Sequence, residues 1–215
     1  MKPHISDRRP ISARNSKISQ NIAALLTQTG ISPNSISIAS MIFAAGAGGS
    51  LVATKYSTNN EIWWISSIVL IILRLLANMF DGMVAVESGK SSAIGELYNE
   101  LPDRISDAII FISAGFASGS SPHLGYIAAL LAILIAYTRT LGNFMGVTQL
   151  FLGPMAKSHR MFTLSAFCLL TALSQNIFEI QNLFSWGLLF IITGSVLTFL
   201  RRVKLIVVTL QRHNG

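Results

Sequence analysis

The chain has 215 residues, 51% of them hydrophobic and only 12% charged, with a mean hydropathy of +0.56. Roughly 25% charge is usual for a soluble domain, so a pair of soluble domains is excluded and one domain made of membrane spans is expected. The net charge of +7 does not point to nucleic acid, because the basic residues flank apolar runs and no nucleic-acid motif accompanies them.

Residues 1–32 read as a basic cytoplasmic arm, an interfacial helix carrying Lys2, Arg8, Arg9, Arg14 and Lys17. No continuous apolar stretch follows until past Pro33, so a cleavable signal peptide of the usual form is not expected. Crossing about 30 Å of hydrocarbon takes about 20 mostly apolar residues. On that basis about six spans are predicted, near 34–54, 62–86, 103–118, 124–147, 160–176 and 182–200. The expected fold is therefore all-α, a polytopic membrane helical bundle over 33–205, followed by a cytoplasmic tail at 206–215. Pro102, Pro122 and Pro154 mark boundaries, and Pro102 must either begin the third helix or kink it.

With both termini on one side, fifteen of the sixteen basic residues, all but Lys55, fall on a single face. The positive-inside rule turns that face to the cytoplasm, and in a bacterium the membrane is then the inner one. Trp63 and Trp64, at the opposite end of the second span, fit an outer aromatic belt. The basic arm and the tail residues Arg201, Arg202, Lys204 and Arg212 serve either topology alone or binding of anionic lipid. The single cysteine, Cys168, lies in an apolar run and reads as packing, with no disulfide or thiolate metal cluster available.

Six of the nine acidic residues crowd between positions 81 and 107: Asp81, Glu87, Glu96, Glu100, Asp103 and Asp107. Such crowding at the ends of two apolar helices is expensive, since like charges repel and burial removes hydration. On a helix, Arg74, Asn78, Asp81 and Ala85 share one stripe, and Gly95, Asn99, Asp103 and Asp107 share another. Two facing stripes present two carboxylates and two amide carbonyls, hard oxygens that suit Mg²⁺ or Mn²⁺. The competing reading is that these acids pair with Arg74, Arg104 and Arg139 inside the bundle.

Asp81-Gly82-Met83-Val84-Ala85, followed by Gly95, Asn99 and Asp103, resembles the signature of the CDP-alcohol phosphatidyltransferase family, D-x2-D-G-x2-A-R-x8-G-x3-D-x3-D, without a gap in register. Ser32-Pro33-Asn34-Ser35-Ile36-Ser37 is similar to the turn before that family's first span. Three positions depart from the pattern: Asn78 and Asn99 stand where the family has aspartates, and Val86 where it has arginine.

The resemblance implies transfer of a phosphatidyl group from CDP-diacylglycerol to an alcohol acceptor, with release of CMP, in phospholipid synthesis within membrane lipid. It implies that Asn78, Asp81, Asn99 and Asp103 hold the metal, that Gly82, Ala85 and Gly95 let CDP approach, and that Asp103 deprotonates the acceptor. It also carries an expectation of a homodimer, and leaves the acceptor alcohol unspecified. For the two lost charges three outcomes stay open: a single ion, compensation by Asp107, Glu87, Glu96 or Glu100, or loss of activity. Lys157, His159 and Arg160, joined by Arg139, are candidates for binding an acceptor phosphate or the donor pyrophosphate, against a plain positive flank. The alternative functions are a catalytically degenerate member acting as a membrane scaffold, and a small transporter, which lacks the inverted repeat many carriers show.

Overall fold

The computed structural model describes residues 12–88, 93–147, 153–177 and 182–213. These residues form a short 3-10 helix, Ser12–Asn15, and seven α-helices: α1 (Lys17–Gln28), α2 (Pro33–Ala53), α3 (Asn60–Glu87), α4 (Ala93–Gly115), α5 (Pro122–Phe144), α6 (Lys157–Ile177) and α7 (Leu183–His213).

Local sequence explains where the first helices begin and end. Ser16 and Ser32 cap α1 and α2, their side chains accepting from the backbone N–H of Ser19 and Ser35, both at 3.1 Å. Pro33 follows its cap at the first helical position, where a missing N–H costs nothing. Gly30, at φ +74°, takes the left-handed conformation that closes α1.

Among the described residues four helices are long and apolar enough to cross a membrane: α2, α3, α5 and the Leu183–Arg212 part of α7. The protein is accordingly an all-helical integral membrane protein. The more polar α4 and α6 fall outside that set. Packing runs as a ring, in which α2 touches α3 and α4, α4 touches α5, α5 touches α7, α7 touches α6, and α6 returns to α3. The arm helix α1 lies against α3, burying Ser19 and Ala23 while Ile18, Ile22 and Leu25 stay exposed.

The ring closes over Leu51, Trp64, Ile71, Phe111, Phe184 and Leu188, all buried. Outside, α3 presents Ile62, Ile65, Val69, Ile72 and Leu76, apolar side chains that only lipid would favour. With lipid tails as apolar as the side chains, close backbone approach holds the helices together. A Cβ on Gly125 would stand 2.7 Å from the Phe111 carbonyl oxygen and 2.8 Å from Gly115 Cα, so α4 and α5 meet only because both residues are glycine.

Three expectations need correction. The third helix begins at Ala93 and continues through Pro102, well before position 103, because hydropathy sees only the part of a helix that is apolar. For the same reason the last helix runs on past the predicted span end at 200, through Arg201 and Arg202 to His213. Trp64 is fully buried against Phe184, with ring centroids 4.7 Å apart, and so is core, whereas Trp63 is exposed. Cys168 is buried and free, accepting from Ser67 Oγ at 3.7 Å.

Candidate active site

At one end of the ring the structure gathers charge that an apolar core would reject. Arg74, Asp81, Asp103, Asp107 and Arg160 are all buried there. Buried ions persist only when paired and hydrogen-bonded, and all of these but Asp81 are ion-paired with one another.

Asp107 lies between two arginines, with Arg74 Nη2 at 2.8 Å from Oδ1 and Arg160 Nη2 at 3.1 Å from Oδ2. Arg74 Nη2 also donates to Asp103, at 3.2 Å to Oδ1 and 3.3 Å to the backbone carbonyl. Arg160 Nη1 donates to the Met155 carbonyl at 3.0 Å. Nearer the surface, Glu100 accepts from Arg104 at 2.6 Å and from Arg139. Part of the competing reading therefore holds: Glu100 and Asp107 do pair with interior and rim arginines, and both oxygens of Asp107 are committed to that pairing.

Asp81, Asn78 and Asp103 have a different environment. Lys157, at the start of α6, donates from Nζ to Asn78 Oδ1 at 2.5 Å and to Asp103 Oδ2. Asp81 lies within electrostatic reach of both Asp103 and Lys157. Its Oδ2 accepts from Ser37 Oγ on α2 at 2.8 Å, whereas its buried Oδ1 has no hydrogen-bond partner. An orphaned carboxylate oxygen is costly unless a cation meets it.

No group of three or more His, Cys, Asp or Glu is gathered for a metal among the described residues. A divalent ion here would depend on Asp81 and Asp103 together with amide oxygen, and these donors fit one. Asp81 Oδ1 is unsatisfied, and Asn78 Oδ1 and Asp103 Oδ2 already converge on a cation, the Lys157 ammonium. All are hard oxygens.

The remaining predicted site residues fall as follows. Gly82 is buried and Ala85 half-buried on α3. Beside them a groove of about 560 Å³ is lined by Arg14, Gln20, Ala23, Gly82, Met83 and Glu87. Arg14 Nη2 would stand 3.6 Å from a Cβ on Gly82, so the arm reaches the motif. Gly95 and Asn99 belong to α4, two turns and one turn before Asp103, and the side chain of Asn99, like that of Glu96, lies outside the described residues. Val86 is exposed at the end of α3.

Two partners escaped the sequence. Ser37 lay in the quoted Pro-Asn turn, yet nothing local paired it with Asp81, which is 44 residues away. Arg202 read as tail, but it is buried and donates to the Ile135 carbonyl at 3.0 Å.

The chain is similar to proteins named for inositol lipid synthesis. The archaetidylinositol phosphate synthase of Aeropyrum pernix is 27% identical over 168 residues, 77% of this chain and 78% of that protein. Among solved structures, Mycobacterium tuberculosis phosphatidylinositol phosphate synthase with CDP-DAG bound matches with a TM-score of 0.71 at 18% identity, covering 89% of this chain and 94% of that one. The same enzyme in complex with manganese and citrate gives 0.69 at 19% identity, covering 86% and 87%. At such identities these structural matches establish the fold. The sequence profile of the CDP-alcohol phosphatidyltransferases matches residues 30–200, a stretch that holds Asp81, Asp103 and nearly the whole helix ring, so the chain belongs to that family and transfers a phosphatidyl group from CDP-diacylglycerol to an alcohol, with release of CMP.

Proposed function

We propose that the transfer takes place where α2, α3, α4 and α6 meet, with Asp81, Asp103, Asn78 and Asn99 as oxygen donors to Mg²⁺ or Mn²⁺ and Asp103 as the base. The observation that carries this is the convergence of Asn78 Oδ1 and Asp103 Oδ2 on one cation, with the unsatisfied Oδ1 of Asp81 close by. When bound, the metal would withdraw charge from the phosphoryl oxygens and from departing CMP.

The protein's own groups account for the remaining steps. Gly82 lines the groove under the arm and leaves room there for CDP, and Ala85 and Gly95 join it in this reading on the family resemblance. The acceptor oxygen forms a bond to the phosphorus that carries the lipid, the bond from that phosphorus to CMP breaks, and the acceptor proton passes to Asp103. Arg74 holds Asp103 through Oδ1, while Oδ2 faces Lys157. Positioning of this kind supplies much of the rate in a site that binds both reactants.

The acceptor we propose is an inositol phosphate. Two of the relatives are named as synthases of inositol phosphate lipids, and by atom balance such a product arises from a CDP-activated lipid in one step only if an inositol phosphate hydroxyl attacks. Of the three candidate cations, Arg139 and Lys157 have side chains 26% and 20% exposed and can turn to an acceptor phosphate, while Arg160, at 1%, stays with Asp107.

The same proposal reads α4 and α6, 23 and 21 residues long, as spans that complete a set of six. It places both termini in the cytoplasm of a bacterial inner membrane, supported by the one-sided distribution of basic residues. The basic arm lies on the surface, its exposed Ile18, Ile22 and Leu25 in the headgroup region. A homodimer belongs to this reading on the family resemblance.

The test is CMP release by the purified protein in lipid nanodiscs with CDP-diacylglycerol, Mn²⁺ or Mg²⁺, and a panel of inositol phosphate, inositol, glycerol 3-phosphate and serine. Inositol-phosphate-dependent CMP supports the reading, and CMP release with another alcohol reassigns the acceptor. Nucleotide binding with no CMP from any alcohol would reduce the site to a binding module.

A further inference from the structure

The oxygens offered to a metal already hold a cation, and the chain itself supplies it. Lys157 Nζ donates to Asn78 Oδ1 and Asp103 Oδ2, side chains 79 and 54 residues away in sequence. An ammonium and a divalent ion cannot share those two oxygens, because both need the same few ångströms and their charges repel.

The neighbouring cations cannot play this part. Arg74 and Arg160 have side chains 0% and 1% exposed and are tied to Asp107, so neither can leave, and Arg104, 3.9 Å from Asp103 Oδ2, is engaged more closely by Glu100 at 2.6 Å. Lys157 is 20% exposed and sits on a flexible four-carbon stem, a point charge able to swing out. The need for such a charge follows from burial: Asp103 is 6% exposed and Asn78 brings no charge, so without Lys157 or a metal the only cation near Oδ2 among the described residues would be Arg104, at 3.9 Å.

We propose that Lys157 is a built-in counter-ion, its ammonium filling the metal position between Asn78 and Asp103, and that a divalent ion binds only by displacing it. Lys157 thereby sets the metal affinity of the resting enzyme. This rests on the metal reading given above.

The test needs no substrate. Free Mn²⁺ is titrated by electron paramagnetic resonance against the full chain in lipid nanodiscs, comparing the native protein with Lys157→Gln, Lys157→Met, Asp81→Asn and, at the far end of the bundle, Lys55→Gln. The expected result is at least about tenfold tighter Mn²⁺ binding in both Lys157 variants, no change in Lys55→Gln, and loss of the site in Asp81→Asn, a tenfold change being about 1.4 kcal/mol. Lys157→Met keeps most of the stem, so a gain shared by both variants comes from the charge and not from repacking. Mn²⁺ binding that depends on Asp81 but is unchanged or weaker in the Lys157 variants overturns the counter-ion role while sparing the metal site. Absence of Mn²⁺ binding in native and Lys157 variants alike overturns the metal reading, and this proposal with it.

Discussion

Asp107 Oδ1 lies 2.8 Å from Arg74 Nη2, joining α4 to α3 where both side chains are closed to solvent. The spacing of Asp107 four residues after Asp103 made it a candidate to make up for the missing aspartates, but its second oxygen is taken by Arg160. Its geometry is that of a structural ion triad.

Replacing Asp107 with Ala leaves two buried guanidiniums without their shared anion, a change that costs about 3–5 kcal/mol. Thermal unfolding in detergent should show it as a marked fall in Tm. Glu100→Gln, at the exposed rim, should cost no more than about 1 kcal/mol, because solvent already screens its pairs with Arg104 and Arg139. Equal Tm values for the two variants would remove the structural role of Asp107.

Asp103→Asn keeps the shape and an acceptor for Arg74 but loses the base. CMP release should fall by about 10²- to 10⁴-fold with Tm close to native. A variant that retains its full rate takes Asp103 out of proton transfer.

Chelation by EDTA should stop CMP release and leave the helical content unchanged, since the ring is held by packing and by ion pairs that involve no metal. Either Mn²⁺ or Mg²⁺ should restore the rate, and Ca²⁺ should restore it poorly because it prefers more ligands at longer distances. Undiminished turnover in EDTA is the result that would count against a metal-dependent site.

Gly125→Ala tests the backbone approach of α5 to α4. A methyl group 2.7 Å from the Phe111 carbonyl forces the helices apart, at about 1–3 kcal/mol. Gly49→Ala, where a Cβ meets nothing within 4 Å, should instead be neutral or slightly stabilising. Unfolding midpoints of the pair decide it.

Much of this protein is determined by its residues taken locally. Apolar runs of sufficient length locate α2, α3 and α5, since lipid demands an internally bonded apolar helix. Helical periodicity alone places Asn78 with Asp81, and Asn99 with Asp103, each pair on one stripe. The family signature resides in that same local register.

Tertiary structure decided which charges meet. Lys157 reaches Asn78 and Asp103, Ser37 reaches Asp81, Arg160 reaches Asp107, and Arg202 reaches the Ile135 carbonyl, all across sequence separations of 44 or more. No periodicity carries such information, because the ring of helices sets those neighbours. Helix ends were hidden for a related reason: hydropathy reports contact with lipid, whereas the backbone hydrogen bonds of α4 and α7 continue into polar sequence beyond it. Trp64 shows the same limit, since only the packing of α7 on the ring, with Phe184 at its start, turns a belt residue into core.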